Sequence, residues 1–313
     1  MTEDAAFNSV RRSDALSAAI VLSHVGLTYL PVWLAAALGP SWVLLLLWLW
    51  YGWFNSGLIN LMHECAHYLT FRRRWANDLL GGWVLAPLMF TDFSDYRRRH
   101  WEHHRQLGTA RDPKLVYRTN LQGMGLLRLA ARCAIGLEAV KRLKERPEEP
   151  SQGLTTKRAA VSPRLIAVHT CFAGSLFGVA LLFQETLHLA LVSSALAYGF
   201  VYAYGLGSLS VFAAALRAIA EHQLCDPTLA RRGDAALRNL RCNPLTRLLF
   251  GAYGFAEHAT HHGEPAVPYY ELEARTHELS RKNPALSPTH GYFEILRSCM
   301  RAQPRPRTAG AER

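Results

Sequence analysis

Nine of the chain's 14 histidines stand in four tight groups: His63 and His67 in HECAH, His100, His103 and His104 in HWEHH, His222 in AEHQ, and His258, His261 and His262 in HATHH. Positions i, i+3 and i+4 of a helix share one face, so each HxxHH group aims three imidazoles at one point. His63 and His67 make the same kind of pair one turn apart. At this histidine content the HxxHH spacing is expected about 0.03 times by chance, and it occurs twice. Imidazole is the commonest metal-binding side chain, and nine exceed what one tetrahedral or octahedral ion uses, so the count points to two metals. Histidines satisfied by hydrogen bonds on a wet surface account for any one group, but not for all four together. His24, His169, His188, His277 and His290 are scattered; the first two fall inside apolar stretches and read as packed or hydrogen-bonded core residues.

Something must gather these groups. Between Arg12 and Arg72 lie 59 residues without Lys or Arg, and between Arg164 and Arg217 another 52, in a chain with 35 basic residues. Each gap is about twice the roughly 20 apolar residues that cross a hydrocarbon core, so each reads as a helical hairpin. The spans are expected near 15–38, 41–62, 165–184 and 187–211, after a cytoplasmic N-terminus of residues 1–14 with a retained signal anchor. The hairpin tips, Leu38-Gly39-Pro40-Ser41 and Phe183-Gln184-Glu185-Thr186, carry no Lys or Arg. By the positive-inside rule both tips face outward, and the rest is cytoplasmic. His63 follows directly on span two and His222 comes shortly after span four, so four spans bring all nine histidines to one side of the membrane. Three or five would not. The expected fold is therefore an all-α integral membrane protein of two hairpins, with a helical cytoplasmic cap that carries the metals.

Net charge is +11: segment 64–162 has 18 basic and 10 acidic residues, segment 217–313 has 14 and 10. That surplus enforces topology, and it also suits anionic lipid headgroups or an acidic protein partner. No basic stripe occurs away from a span, which argues against nucleic acid. Six cysteines without paired spacing suit reduced thiols. Leu79 to Phe90, only 12 residues, is expected to lie in the interface or re-enter. Leu121 to Val140 suits a surface-lying amphipathic helix, Lys141 to Arg158 a flexible loop, and 276–313 a C-terminal tail that is disordered after about 304.

Carboxylates adjoin the histidine groups: Glu64, Glu102, Glu221 and Glu257. Such groups orient metal-binding imidazoles through the outer ring nitrogen. Glu221, at the end of a span and one turn from Arg217, is the strongest candidate for that task; Asp95 and Asp112 are weaker ones. Glu102 and Glu257 read as solvated helical charges.

Boxes of the form HxxxH, HxxHH and HxxHH, interleaved with two membrane hairpins in this order, resemble the membrane-bound fatty acid desaturase and hydroxylase family. The likeness extends over roughly 40–275 within an expected membrane unit of 15–275. It includes Trp75-Ala76-Asn77-Asp78, Arg97-Arg98-Arg99-His100, Arg111-Asp112-Pro113 and Pro268-Tyr269-Tyr270. It implies a non-haem centre of two iron ions, with dioxygen as cosubstrate, acting on an unactivated C–H bond of a long chain. His63, His67, His100, His103, His104, His258, His261 and His262 match the eight box ligands, and His222 the additional histidine many members place after the fourth span. The third box departs from the common pattern in Ala256-Glu257 before and Ala259-Thr260 within it. The implied activity is fatty acid desaturation, with hydroxylation or ketolation of a lipid or carotenoid as the competitor. The acyl chain arrives on a membrane lipid or a carrier. Two electrons per turnover come from a separate ferredoxin or similar donor docking on the basic cytoplasmic face.

Two rival classes fit part of the pattern. HECAH also satisfies HExxH, the pattern of an intramembrane zinc protease, but that reading leaves seven clustered histidines unexplained. A metal carrier needs polar residues along its spans, and there the only histidines are His24 and His169. Substrate choice is expected to depend on a tunnel between the spans, lined by Trp48, Trp50, Trp53 and Trp83.

Overall fold

Four helices are long and apolar enough to cross a bilayer in the computed structural model, which describes residues 13–109, 111–114, 119–144, 162–222 and 237–301. α1 (Asp14–Leu38), α2 (Val43–Ala66), α8 (Pro163–Phe183) and a long fourth helix over Leu187–Glu221 fall close to the expected spans. Hydroxyl caps start three of them: Ser13, Ser162 and Thr186 accept from the backbone N–H of Leu16, Leu165 and Leu189. The two tips, free of Lys and Arg, lie together, with Gln184 Nε2 donating to the Ala37 carbonyl at 2.6 Å.

In a bilayer, helices associate through packing and polar contacts, because lipid is as apolar as leucine. The bundle is centred on four buried rings, Tyr29, Tyr51, Phe172 and Tyr202, whose centroids lie 5.0 to 6.2 Å apart in the pairs that touch. The fourth span begins as α9 (Leu187–Leu196), passes through π-helical turns at Ala197–Tyr204 and Leu206–Ser210, and ends as α10 (Val211–Glu221). Gly205 sits between the π-turns, where an added Cβ would meet Tyr51 at 2.9 Å. Ser210 donates to the Gly52 carbonyl at 2.8 Å. The helix runs ten residues past the expected end at 211, and that extension carries Arg217, Glu221 and His222 into the cap.

The tryptophans expected to line a tunnel meet different partners. Trp48 stacks on Phe200 and Tyr204, Trp50 meets Phe54, Trp53 meets Phe250, and Trp83 lies exposed beneath the Arg164 guanidinium. Trp48, Trp50 and Trp53 lie on α2, whereas Trp83 lies in the π-turn at Leu80–Leu85. The two span histidines are half-buried and hydrogen-bonded: His24 Nδ1 to the Tyr253 hydroxyl (2.8 Å), and His169 to the Pro87 carbonyl (3.0 Å) and the Tyr198 hydroxyl (2.9 Å).

The cap is built of short helices joined by turns and loops, with two isolated β-bridges and no strand among its described residues. The short 79–90 stretch does not cross: α3 (Arg74–Leu79), a π-turn and α4 (Ala86–Leu88) lead into α5 (Phe93–Gln106), which Asp92 caps through the Asp95 N–H at 2.8 Å. The amphipathic 121–140 stretch forms two helices, α6 (Gly125–Ala134) and α7 (Leu137–Lys144), because Gly136 takes φ 72° between them. The Arg12 region, most of the Lys141 to Arg158 loop, Cys225 and the end of the tail lie outside the described residues. The remaining cysteines are free thiols. Residues 276–301, set apart as a tail in the sequence reading, pack on the cap: α14 (Tyr292–Arg301) buries Tyr292, Ile295 and Cys299 against Leu216 and Ile219 of α10.

An element absent from the sequence reading climbs back along the spans. α11 (Pro244–Leu249) and the loop after it run beside α2, with Trp53 Nε1 donating to the Leu249 carbonyl (3.1 Å) and Asn60 Nδ2 to the Ala252 carbonyl (2.9 Å). Trp53 lies ten residues before His63, about 15 Å along the helix. Irregular backbone at this depth persists only where its polar groups are satisfied within the protein. Asn60→Leu and Trp53→Phe are each expected to lower thermal stability in detergent by about 1–3 kcal/mol, the cost of an orphaned buried carbonyl. Unchanged unfolding midpoints would mean that water reaches these groups.

Candidate metal centre

Each histidine group sits at the end of a helix that another element pins. α2 ends at His67, and Tyr68 leaves it at φ 61°. The following turn closes on buried Asn77, whose side chain accepts from the Thr70 and Phe71 N–H groups and donates to the Phe71 and Arg73 carbonyls. Arg97 of α5 then ties this turn to the second box, reaching the Tyr68 hydroxyl, the Cys65 carbonyl and Asp78. The third box is the short helix α12 (His258–Gly263), entered through Tyr253 and Gly254 at φ 56° and 71°. A Cβ at Gly254 would meet Leu272 at 2.6 Å, so the positive φ and the close packing both require glycine there.

All nine grouped histidines converge. His63, His67, His100, His104 and His261 bring one nitrogen each to within 4.8 Å of one another; His103, His258 and His262 do the same, as do Glu221, His222 and His258. The last two groups share His258, giving one set of five imidazoles and one of four with a carboxylate in reach. The sets adjoin where His104 stacks on His262 at 4.0 Å.

The chemistry of these nitrogens fits cations. His100 Nε2 lies 2.6 Å from His67 Nε2 and 3.0 Å from His104 Nε2. Three neutral imidazole nitrogens in that arrangement have at most one proton between each pair to share. Two ligands at right angles, each about 2.1 Å from a common ion, are about 3 Å apart. His63 Nε2, His258 Nε2, His262 Nε2 and both nitrogens of His261 are buried without a hydrogen-bond partner, a costly arrangement for polar atoms unless a metal takes them.

Outer nitrogens are held in turn. An ionised carboxylate only accepts, so His103 donates through Nδ1 to Asp112 (2.8 Å); His63 Nδ1 lies 3.1 Å from Glu64 Oε1. His222 Nδ1 donates to the Ala218 carbonyl at 2.7 Å. Asp112 is itself fixed by the Gly108 and Lys114 N–H groups. Glu221 is buried and accepts from Arg217 and the Tyr292 hydroxyl. Asp95 does not join the site. It lies in the first turn of α5, favoured there by the helix dipole, and pairs on the outer face with Arg98 (2.6 Å) and Arg99 (2.9 Å), because five residues along a helix turn it away from His100. Glu102 reaches Arg98 at 3.7 Å as a surface charge, whereas Glu257 is buried against Arg247 at 3.0 Å rather than solvated.

Two cations escaped the sequence reading of the site. Lys114 Nζ lies 3.1 Å from His100 Nδ1, and its place two residues after Asp112 was the only signal. The Arg217 guanidinium lies 4.0 Å from the Phe255 ring, and that ring touches His63 of one set and His258 of the other. Burial lowers His67 to about 3 and His103 to about 4, and moves His100, His222, His258, His261 and His262 well below their ordinary range, with neighbouring histidines and Lys114 adding to it. Lys114 falls to about 8, again through burial first. The imidazoles are thereby kept neutral, the form that binds metal.

A bundle of four membrane-length helices with a histidine-lined centre of this kind defines a helical membrane protein with a histidine-rich metal site. The chain belongs to the fatty acid desaturase family, whose sequence profile matches residues 40–293. It is similar to the sn-1 oleoyl-lipid 12-desaturases of Anabaena variabilis, 32% identical over 99 residues (32% of this chain and 27% of the relative), and of Synechocystis, 34% over 86 residues (28% and 22%). It also resembles a beta-carotene ketolase of Haematococcus lacustris, 37% identical over 60 residues (18% and 19%). The matched stretches thus cover about a quarter of the desaturases' own length.

The lowered histidine values carry a sign. Below pH 6.5 the unfolded chain takes up protons that the folded, metal-free centre refuses, so stability falls as pH drops from 6.5 toward 4. Unfolding midpoints of metal-stripped protein in detergent are expected to decline across that window, and His103→Gln to reduce the slope. A flat profile would mean that the imidazoles are solvated.

Proposed function

We propose that the protein is an O2-dependent desaturase that introduces a C=C bond into a long acyl chain of a membrane lipid, at a centre of two irons. The observation that carries this reading is the pair of adjoining imidazole sets at the foot of a membrane bundle in a fatty acid desaturase family chain. Relatives named for oleoyl-lipid desaturation support the substrate class. In this reading His63, His67, His100, His104 and His261 hold one ion and His103, His222, His258 and His262 the other, with Glu221 beside the second.

When bound, two irons supply the oxidising chemistry that breaks an unactivated C–H bond, with dioxygen as cosubstrate. The residues around them set the geometry. Asp112, Glu64 and the Ala218 carbonyl each fix one histidine in the tautomer that leaves Nε2 for the ion. Glu64 therefore serves the outer nitrogen of His63, on the side away from the metal, which is not the post of a zinc-protease base. Phe255 and the re-entrant loop close the centre from the span side and keep it dry.

The charge asymmetry supports a cytoplasmic cap. The exposed guanidinium run Arg72, Arg73 and Arg74, directly after the first box, supports docking of a separate acidic electron donor such as a ferredoxin. Ketolation or hydroxylation at the same centre is the second reading, favoured by the ketolase likeness.

Lipids and pigments of an expressing host, analysed by mass spectrometry, separate these: a new double bond in an acyl chain supports desaturation, whereas a new carbonyl or hydroxyl on a carotenoid replaces it. His103→Ala should abolish either product, and Asp112→Asn should weaken iron binding by about 10–100-fold. A protein that loads no iron refutes both readings. Activity supported by the reduced donor is expected to fall with added salt and with charge reversal at Arg72, Arg73 and Arg74; indifference to both would remove the docking assignment.

A further inference from the structure

Away from the metals, a cavity of about 250 Å³ opens between α6, α7 and the turn before them. It is smaller than the roughly 300–1,000 Å³ of pockets that enclose whole small molecules, a size that suits a headgroup. Arg128 and Arg132, one turn apart on α6, line it together with Asn120, Gln122 and the first residue of the helix, Gly125. Glu138 is its one carboxylate, and it is committed to Arg132 at 2.7 Å. Arg128 has no carboxylate partner among the described residues. Among the described residues the cavity therefore has one uncompensated cation, its positive potential increased by the N-terminal end of α6.

The same two helices show where this charge sits. Leu129 and Cys133 of α6 pack on Leu216 and Ile219 of α10, at the cap end of the fourth span. Other faces leave Leu127, Ile135, Leu137 and Val140 exposed, Ile135 at 76%. Large exposed apolar side chains beside arginines mark a helix that lies in the membrane interface, with aliphatic faces toward lipid and guanidinium groups at headgroup level. The exposed aliphatic side chains lie beside the arginines on the same two helices, the arrangement that suits a lipid with a charged headgroup and apolar chains.

We propose that this cavity binds the phosphodiester of a membrane glycerophospholipid, with the lipid's chains lying along the exposed apolar faces of α6 and α7. A phosphodiester carries one negative charge and matches the single uncompensated cation, and Arg presents its donors in the fork that phosphate oxygens accept. Asn120 and Gln122 add side-chain amides for the ester oxygens. The assignment holds whatever reaction the histidine centre performs.

The test uses the full chain, delipidated in detergent and titrated by calorimetry with four probes: short-chain phosphatidylglycerol, phosphatidylcholine, diacylglycerol and inorganic phosphate. Both phospholipids are expected to bind at least about tenfold more tightly than the other two, and Arg128→Gln to weaken phospholipid binding by about tenfold or more. Arg128 is exposed, so this variant keeps its metal content and unfolding midpoint; Leu245→Gln, on the re-entrant helix, serves as a surface control without effect on binding. Equal affinity for inorganic phosphate would make the cavity a small-anion site, and equal affinity for diacylglycerol a mere apolar surface. Arg128→Gln that spares phospholipid but abolishes binding of an acidic electron-donor protein would reassign it to a protein partner. Each of these three results overturns the proposal.

Discussion

Nine imidazoles, seven of them buried, crowd into two touching sets, and with several N–H groups committed to outer partners their lone pairs exceed the protons left to share; that excess is what the rest of the structure must accommodate. The Nε2 atoms of His67, His100 and His104 meet at 2.6 and 3.0 Å, and several others face the same space with no protein partner. Such a centre is unfavourable on its own terms and favourable around cations. Neutrality follows from burial, and burial in turn demands a rigid frame. Four membrane-length helices supply it.

Three devices aim the rings. Capped turns end α2 and start α5 at defined places, through Asn77, Arg97 and Asp92. Outer-nitrogen partners then lock the rotation of individual rings, with Asp112 on His103 the best defined. The third device is the extra length of the fourth span: α10 continues past the apolar stretch and delivers His222 beside His258, while Arg217, Glu221 and Tyr292 form a buried polar network behind it. The re-entrant segment closes the arrangement from the membrane side, and its carbonyls are satisfied by Trp53 and Asn60 of α2. The same helix that carries the first histidine box thus also anchors the approach to the third.

The periphery of the cap has a different character. Amphipathic α6 and α7, the exposed Trp75 and Trp83, and Leu245 and Leu248 on α11 surround the spans with apolar side chains interspersed with arginine. Arginines are thus grouped beside exposed apolar faces.

Much of this was legible in the letters alone. Charge-free stretches set the number and order of the spans because a bilayer excludes unpaired charge over a fixed thickness. The spacing of the histidines set their grouping because a helix repeats every 3.6 residues. Those two regularities are local, so they survive in sequence. Which histidines share a set, that Asp112 rather than Asp95 orients one, that Lys114 and Arg217 lie at the centre, and that residues 244–255 climb along α2 were decided only by the tertiary structure. Each depends on contacts between residues from nine (His103 and Asp112) to 196 (Trp53 and Leu249) positions apart, where side-chain direction and close packing choose the partner and no periodicity records it.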